Sequence, residues 1–400
     1  MPGRLSPRLH EGLVRLAAWM PFARAAAELD WFCGAAAGAE TARRLTEAAG
    51  AALVAHETAE AERLAAEMPA PAAGPRVQQL SADGTMVPLV RGEWAEVKAL
   101  AVGTVEASRG ADGASVVRTT GVSYFARLAD ADAFGRLALA ELHRRGTATA
   151  GTVAAVNDGA AWEQGLVDLH RPDALRILDF AHALEHLNAA AQACFGEGTP
   201  AAVAWLDQQA TELKEGDPDR VLAALGALPT ARAADPVAAT GARAGTLGYL
   251  SARRAQIAYA RFRALGLPIG SGMVESGHKS VVQQRLKGAG MHWARPSVDP
   301  MLALRCAACN DRWGELWPSV TAGLRARARP ARPCAPRGLS AHQAGRPARR
   351  PRPARPRVAP RPRREPAAVA GRPTAAHPWK QAAARAAARK ASRSAPSAKI

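Results

Sequence analysis

Three carboxylates in this 400-residue chain stand where they could do chemistry. Asp83 lies in Leu80-Ser-Ala-Asp-Gly-Thr85, directly after an apolar run that reads as a strand. Asp158 lies in Ala155-Val-Asn-Asp-Gly-Ala160, at the end of another such run. Glu275 follows in Ile269-Gly-Ser-Gly-Met-Val-Glu-Ser276, where Ser271 is a candidate N-cap and the glutamate would fall in the first turn of a helix. Two strands of one sheet, each ending in Asp-Gly, would bring two carboxylates side by side at the sheet edge. Hydrolysis of a phosphodiester needs hard oxygen ligands for two Mg²⁺ ions about 4 Å apart, one to lower the pKa of the attacking water and one to stabilise the leaving oxygen. Three carboxylates on rigid elements would be a sufficient contribution from the protein. Each also has a plainer reading. Asp-Gly is among the commonest turn dipeptides, and Glu275 stands four residues before Lys279, a spacing that often only stabilises an exposed helix.

Further side chains gather around these three in the sequence. Asp179 and His182, spaced i, i+3, would share one face at the end of a strand, with His186 one turn on. They could orient a phosphate, a carboxylate or the local backbone; the alternative is a helix-start Asp179 acting as N-cap over a packed histidine. Lys279, Arg285 and Lys287, with Trp293 after them, could follow a DNA backbone beside Glu275, or be solvated helix charges. Cys306-Ala-Ala-Cys309 has the spacing of half a zinc site, but no second pair accompanies it, and small core residues are the better reading. Trp205 reads as a core residue of its own helical segment.

The elements that must position these residues are legible in outline. Residues 1–75 read as helices, through Leu13, Leu16, Ala17 and Met20 and then Thr41 to Leu64, closed by the proline-rich linker Pro69–Pro75. Val77–Leu80, Trp94–Glu106 and Ser115–Thr119 are strand-like. A helix is expected over Asp130–Arg145, a strand over Thr152–Val156, a short strand at Leu175–Leu178 and a helix at Ala181–Ala193. Three strands, a helix, a strand, a helical piece and a fifth strand is the element order of an α/β fold of the RNase H-like kind, so residues 76–195 are expected to form the first part of such a core. Residues 196–267 are alanine-rich and helical, broken at Gly216-Asp-Pro, Pro229 and Pro236, and read as an all-helical insertion. Residues 268–324 would complete the core with a helical block from Met273 to about Trp317. Residues 325–400 are Arg, Pro and Ala with few large apolar residues, the composition of a disordered tail.

Charge divides along the same line. The chain carries +18, yet residues 325–400 hold 21 Lys/Arg and one acidic residue, Glu365, which leaves a net of −2 on residues 1–324. DNA affinity of the folded body must therefore come from local patches rather than bulk charge. No apolar run approaches the roughly 20 residues of a membrane helix, and no secretory signal follows the basic N-terminal residues. Five scattered cysteines (Cys33, Cys194, Cys306, Cys309, Cys334) do not make a disulfide framework, which suits a reducing cytoplasm.

Longer words narrow the reading. Asp179-Phe-Ala-His-Ala-Leu-Glu-His-Leu187 resembles the Asp-x-x-His motif that follows the second catalytic aspartate of Mutator-like transposases. Ile269–Ser276, followed by Gln284-Arg-Leu-Lys-Gly-Ala-Gly-Met-His-Trp293, Leu304-Arg305 and Arg312-Trp313, resembles the third-carboxylate block of ISKra-type bacterial insertion-sequence DDE transposases. The resemblance spans roughly residues 5–320 and is most specific at 269–293. It implies Mg²⁺-dependent (or Mn²⁺-dependent) cleavage and strand transfer at transposon ends, with Asp83, Asp158 and Glu275 as catalytic carboxylates and metal ligands, and Asp179 and His182 as accessory residues. It implies double-stranded DNA with terminal inverted repeats and target DNA as partners, a homo-oligomer, and a nucleoid-associated location in the cytoplasm. This sequence departs from the pattern in starting after the cysteine-rich segment of such proteins, in His278 where a cysteine is expected, and in Ala181 where an aromatic residue is common. The expectation is an N-terminally truncated copy. The alternative is a catalytically inactive remnant that acts only as a DNA-binding protein.

Overall fold

A computed structural model describes residues 5–109, 115–231 and 233–328. Of the tail expected to be disordered over 325–400, residues 325–328 instead belong to the last described helix, and 329–400 lie outside the described residues. Five strands form one mixed sheet: β1 (Val77–Pro88), β2 (Trp94–Arg109), β3 (Ser115–Arg127), β4 (Thr152–Asn157) and β5 (Leu175–Leu178), in the spatial order β3-β2-β1-β4-β5. β1, β2 and β3 pair antiparallel, whereas β4 runs parallel to β1 and β5 parallel to β4. Each parallel connection carries a helix, α4 (Ala131–Arg144) before β4 and α5 (Ala161–His170) before β5, as parallel neighbours require.

Alternation along the strands decides what each face buries. Leu80, Leu100, Val102, Val153 and Ala155 pack with Phe134, Leu142 and Leu166 of α4 and α5. On the other face, Ala154, Val156 and Leu178 pack with α6 (Phe180–Phe195) and a helical group of α7 (Pro200–Glu215), α8 (Pro218–Gly226), α9 (Pro236–Ala252) and α10 (Tyr259–Ala264). Beside them on that face, Val97, Ala99 and Ala101 pack with Val274, Val281 and Met301. These come from a helical run, α11 (Gly272–Gly277), a π-helical turn at His278–Gln283 and α12 (Gln284–Leu286), and from α13 (Arg295–Cys309). The block expected to be helical from Met273 to Trp317 is thus three pieces, with α14 (Trp313–Ala328) as the third.

Two expectations about extent need correction. β1 does not stop before Asp83: it runs through Asp83-Gly84 to Pro88, because β2 continues to pair with it, Asp83 opposite Ala99 and Gly84 opposite Lys98. A cross-strand partner overrides the turn preference of Asp-Gly. The proline-rich segment at 69–75 is also not a free tether. Gly74 N–H donates to Thr149 Oγ1 at 2.8 Å, Gly151 N–H to Pro75 O at 3.0 Å, and a Cβ on Gly74 would collide with the Gly146 carbonyl. The N-terminal helices α1 (Pro7–Trp19), α2 (Phe22–Cys33) and α3 (Ala39–Glu67) pack in the same compact unit as the sheet, α3 lying against α13 and α14.

The π-turn has an identifiable support. A wide turn leaves carbonyls without their usual i+4 donors, and the buried guanidinium of Arg305 on α13 supplies the missing bonds, donating to the carbonyls of Ser280 and Val281 and to Gln284 Oε1. Arg305 also donates to Ala18 O of α1 at 3.2 Å.

Candidate active site

Asp83 and Asp158 come together. Leu80 pairs with Ala155 in the parallel β1–β4 pair, so the two strands carry Asp83 and, one residue past the end of β4, Asp158 to the same edge of the sheet, near enough for the Asp83 charge to act on the Asp158 carboxyl. Parity sends the Asp83 side chain to the face opposite Leu80 and Ala82, where it meets His278, and Asp158 lies beside His182 of α6. β4 ends at Asn157, and the Asn157 side chain replaces the next backbone partner: its Oδ1 accepts from Ala82 N–H at 2.7 Å. The chain then leaves the sheet through Gly159, whose φ of +83° is the left-handed conformation that glycine adopts freely.

Burial pushes the Asp158 carboxyl up to about 6; His182 opposes the rise, and the neighbouring Asp83, Asp179 and Glu185 carboxylates add to it. Like charges this close favour a bound proton or a bound cation. His182 Nδ1 lies 3.9 Å from Asp158 Oδ2 and 3.6 Å from Glu185, and its Nε2 is 3.3 Å from Nε2 of His186. His182 thus lies beside the Asp158 carboxylate, with His186 against it one turn on.

Asp179 is a hub of main-chain contacts. Only 4% exposed, it caps α6 through Oδ1, which accepts from His182 N–H at 2.8 Å, while Oδ2 accepts from Ser271 N–H at 2.6 Å. Its own N–H donates to Asn157 O, and the next residue's N–H to Ile269 O. One residue therefore joins the end of β4, the start of α6 and the segment that leads to Glu275. Asp179 is thus the helix N-cap that the plainer reading of the sequence offered. Gln79 adds a second tie, its Nε2 donating to Gly270 O at 2.9 Å while Thr119 Oγ1 donates to its Oε1 at 2.6 Å.

Glu275 is placed less fully. Ser271 stands at the N-cap position of α11 but makes no side-chain cap bond. The glutamate is exposed, and its carboxylate makes no hydrogen bond or ion pair among the described residues. Helix geometry puts it on the face of His278, one turn on. His278 is buried, with Nδ1 3.2 Å from Asp83 Oδ2 and Nε2 3.3 Å from Asp83 O. Gly277 permits this approach, since a Cβ there would fall 2.7 Å from the Tyr124 ring. Two hard carboxylates near enough to feel each other's charge could take a divalent cation between them. Among the described residues, however, no group of three or more His, Cys, Asp or Glu is arranged to hold one.

Of the four residues expected along a DNA backbone, Lys279 and Lys287 are exposed. Arg285 and Trp293 are not available for it: Arg285 is 2% exposed, donates to Ala17 O at 2.9 Å and stacks on Phe22 and Trp293, whose indole N–H donates to Leu286 O. Helical spacing could not tell them apart, because α1 and α2 cover that side of α12. Cys306 is a buried core residue of α13 whose thiol burial pushes well up, and Trp205 packs against the core of the helical group.

Sequence reasoning passed over Glu163. It is 2% exposed, and its Oε2 accepts from Ala160 N–H at 2.9 Å, closing the turn that begins at Asp158. Burial pushes its carboxyl up to about 8, opposed by the Ala160 N–H and helped by the Asp158 and Asp83 charges. A glutamate three residues past a turn, opening an apolar helix, was the signal available for it. Tyr249, Arg253, Gln79 and Asn157 carried none. No model of a known protein family matches the chain, and no curated protein matches it.

Proposed function

We propose that the chain is a DDE-type transposase with an RNase H-like core, acting on the phosphodiester backbone of DNA. One observation carries the reading: the parallel β1–β4 register brings Asp83 and, just past β4, Asp158 to one edge of the sheet, and His278 of the helical run that bears Glu275 lies against Asp83. The strand order β3-β2-β1-β4-β5 supports it, as does the helical group α7–α10 between α6 and Glu275, which reads as the insertion. In this reading Asp83 and Asp158 hold divalent cations, with Glu275 offered from α11. Bound Mg²⁺ or Mn²⁺ would activate the attacking water and stabilise the leaving oxygen. Asp179 holds the Glu275 segment in place, His182 lines the Asp158 carboxylate, and Lys279 and Lys287 stand where a phosphate backbone would pass. Terminal inverted repeats, target DNA and a second copy of the chain are the partners that such chemistry requires.

The rival is a DNA-binding remnant without catalysis, in which the exposed Glu275 takes no part in the site. A plasmid-nicking assay in Mg²⁺ and Mn²⁺, paired with salt-titrated DNA binding, separates the two. The enzyme reading expects nicking by the full chain that Glu275→Gln abolishes while DNA binding persists, since the amide keeps size but loses the charge that holds a hard cation. Equal nicking by both proteins removes Glu275 from the mechanism. Binding without nicking by either favours the remnant.

A further inference from the structure

The turn that presents Asp158 leaves the sheet, so its carbonyls lose the ladder that served β4. Two side chains from the helical group, some 90 residues further along the chain, take them over. Tyr249 on α9 donates its hydroxyl to Asp158 O at 2.7 Å, and Arg253, at the end of α9, donates from Nη2 to Gly159 O at 3.0 Å. The Arg253 guanidinium lies 3.9 Å from the Tyr249 ring centroid, and His186 stacks on that ring at 4.1 Å with an interplanar angle of 19°. His186 in turn meets His182 beside the Asp158 carboxylate. The fit leaves no slack: a Cβ on Gly159 would stand 2.8 Å from Arg253 Nε and 3.0 Å from the Tyr249 hydroxyl. Glu163 holds the other end of the same turn.

We propose that Tyr249, together with Arg253, is a positioning residue for Asp158, so that the helical group α7–α10 sets the cation affinity of the site through the two bonds that hold the Asp158–Gly159 turn. The inference rests on the reading of Asp158 as a metal ligand. Partners that orient a ligand from outside the metal's own shell are typically worth about 10- to 100-fold in affinity. Tyr249→Phe deletes the hydrogen bond and keeps the ring between Arg253 and His186.

The test is Mn²⁺ titration of the full chain, followed by the electron paramagnetic resonance signal of free Mn²⁺, for the parent, Tyr249→Phe and Asp158→Asn, with metal-free melting curves alongside. The expected result is loss of the site in Asp158→Asn and about tenfold weaker Mn²⁺ binding in Tyr249→Phe. Arg253→Met, which loses the bond to Gly159 O, carries the same expectation should Tyr249→Phe fail to fold. Parent-like Mn²⁺ affinity in a folded Tyr249→Phe, with the site lost in Asp158→Asn, overturns the inference and leaves the metal reading standing; a lowered melting temperature alone would then mark Tyr249 as structural. Equal binding by the parent and Asp158→Asn removes the cation from Asp158, and the inference falls with it.

Discussion

Asp179 offers the sharpest test of how the site is held together. Its carboxylate accepts two main-chain N–H groups, from His182 at 2.8 Å and from Ser271 at 2.6 Å, in a nearly solvent-free position. Asp179→Ala removes both. Loss of an N-cap costs about 1 kcal/mol, and loss of a charge-assisted bond that leaves a buried N–H unpaired costs about 1.5–3 kcal/mol. The expected destabilisation is therefore about 2.5–4 kcal/mol. Asp179→Asn keeps one oxygen for the cap but turns an NH₂ towards Ser271 N–H, so it should lose the second bond only, about 1.5–3 kcal/mol. Urea unfolding of the full chain reads both as shifts of the midpoint at constant slope. Hydrogen exchange supplies the local readout: residues 269–275 should lose protection in both variants, because Asp179 tethers that segment to β4 and α6. A change below about 0.5 kcal/mol in Asp179→Ala, the range of an ordinary surface substitution, would refute the hub.

Glu163 makes stability depend on pH in metal-free buffer. Its carboxyl is raised from 4.5 to about 8 in the fold, so the unfolded chain ionises first and stability should fall as pH rises from about 4.5 to about 8; at ~1.4 kcal/mol per pH unit the ceiling is about 5 kcal/mol. Glu163→Gln, which keeps an acceptor for Ala160 N–H, should flatten that fall, and a parent-like slope across pH 5–8 in melting experiments would argue against a buried, proton-bound Glu163. Gly277→Ala should cost about 1–3 kcal/mol by forcing a methyl against the Tyr124 ring; an unchanged melting temperature would mean that α11 shifts freely. Deleting residues 329–400 removes the whole net positive charge, so non-specific DNA affinity and its dependence on salt should both drop sharply; an unaltered salt slope would place the contacts in the folded body.

What the sequence determined by itself was local. The β-branched runs, the alanine-rich helices and their order along the chain are properties of short segments, and all five strands start where those runs start, although β1 and β3 run well past them. Asp83, Asp158 and the Asp179–His182 pair could be singled out for the same reason, since each sits beside a recognisable element end or motif. Tertiary structure decided what depends on a partner far away in the chain. β2 carried β1 through an Asp-Gly that reads as a turn. The helices α1 and α2 turned Arg285 and Trp293 from surface candidates into core. The setting of Asp158 came from Tyr249 and Arg253, whose types and spacing mark an ordinary alanine-rich helix. A hydrogen bond or a covered face joins two segments, and neither segment alone records the other's position.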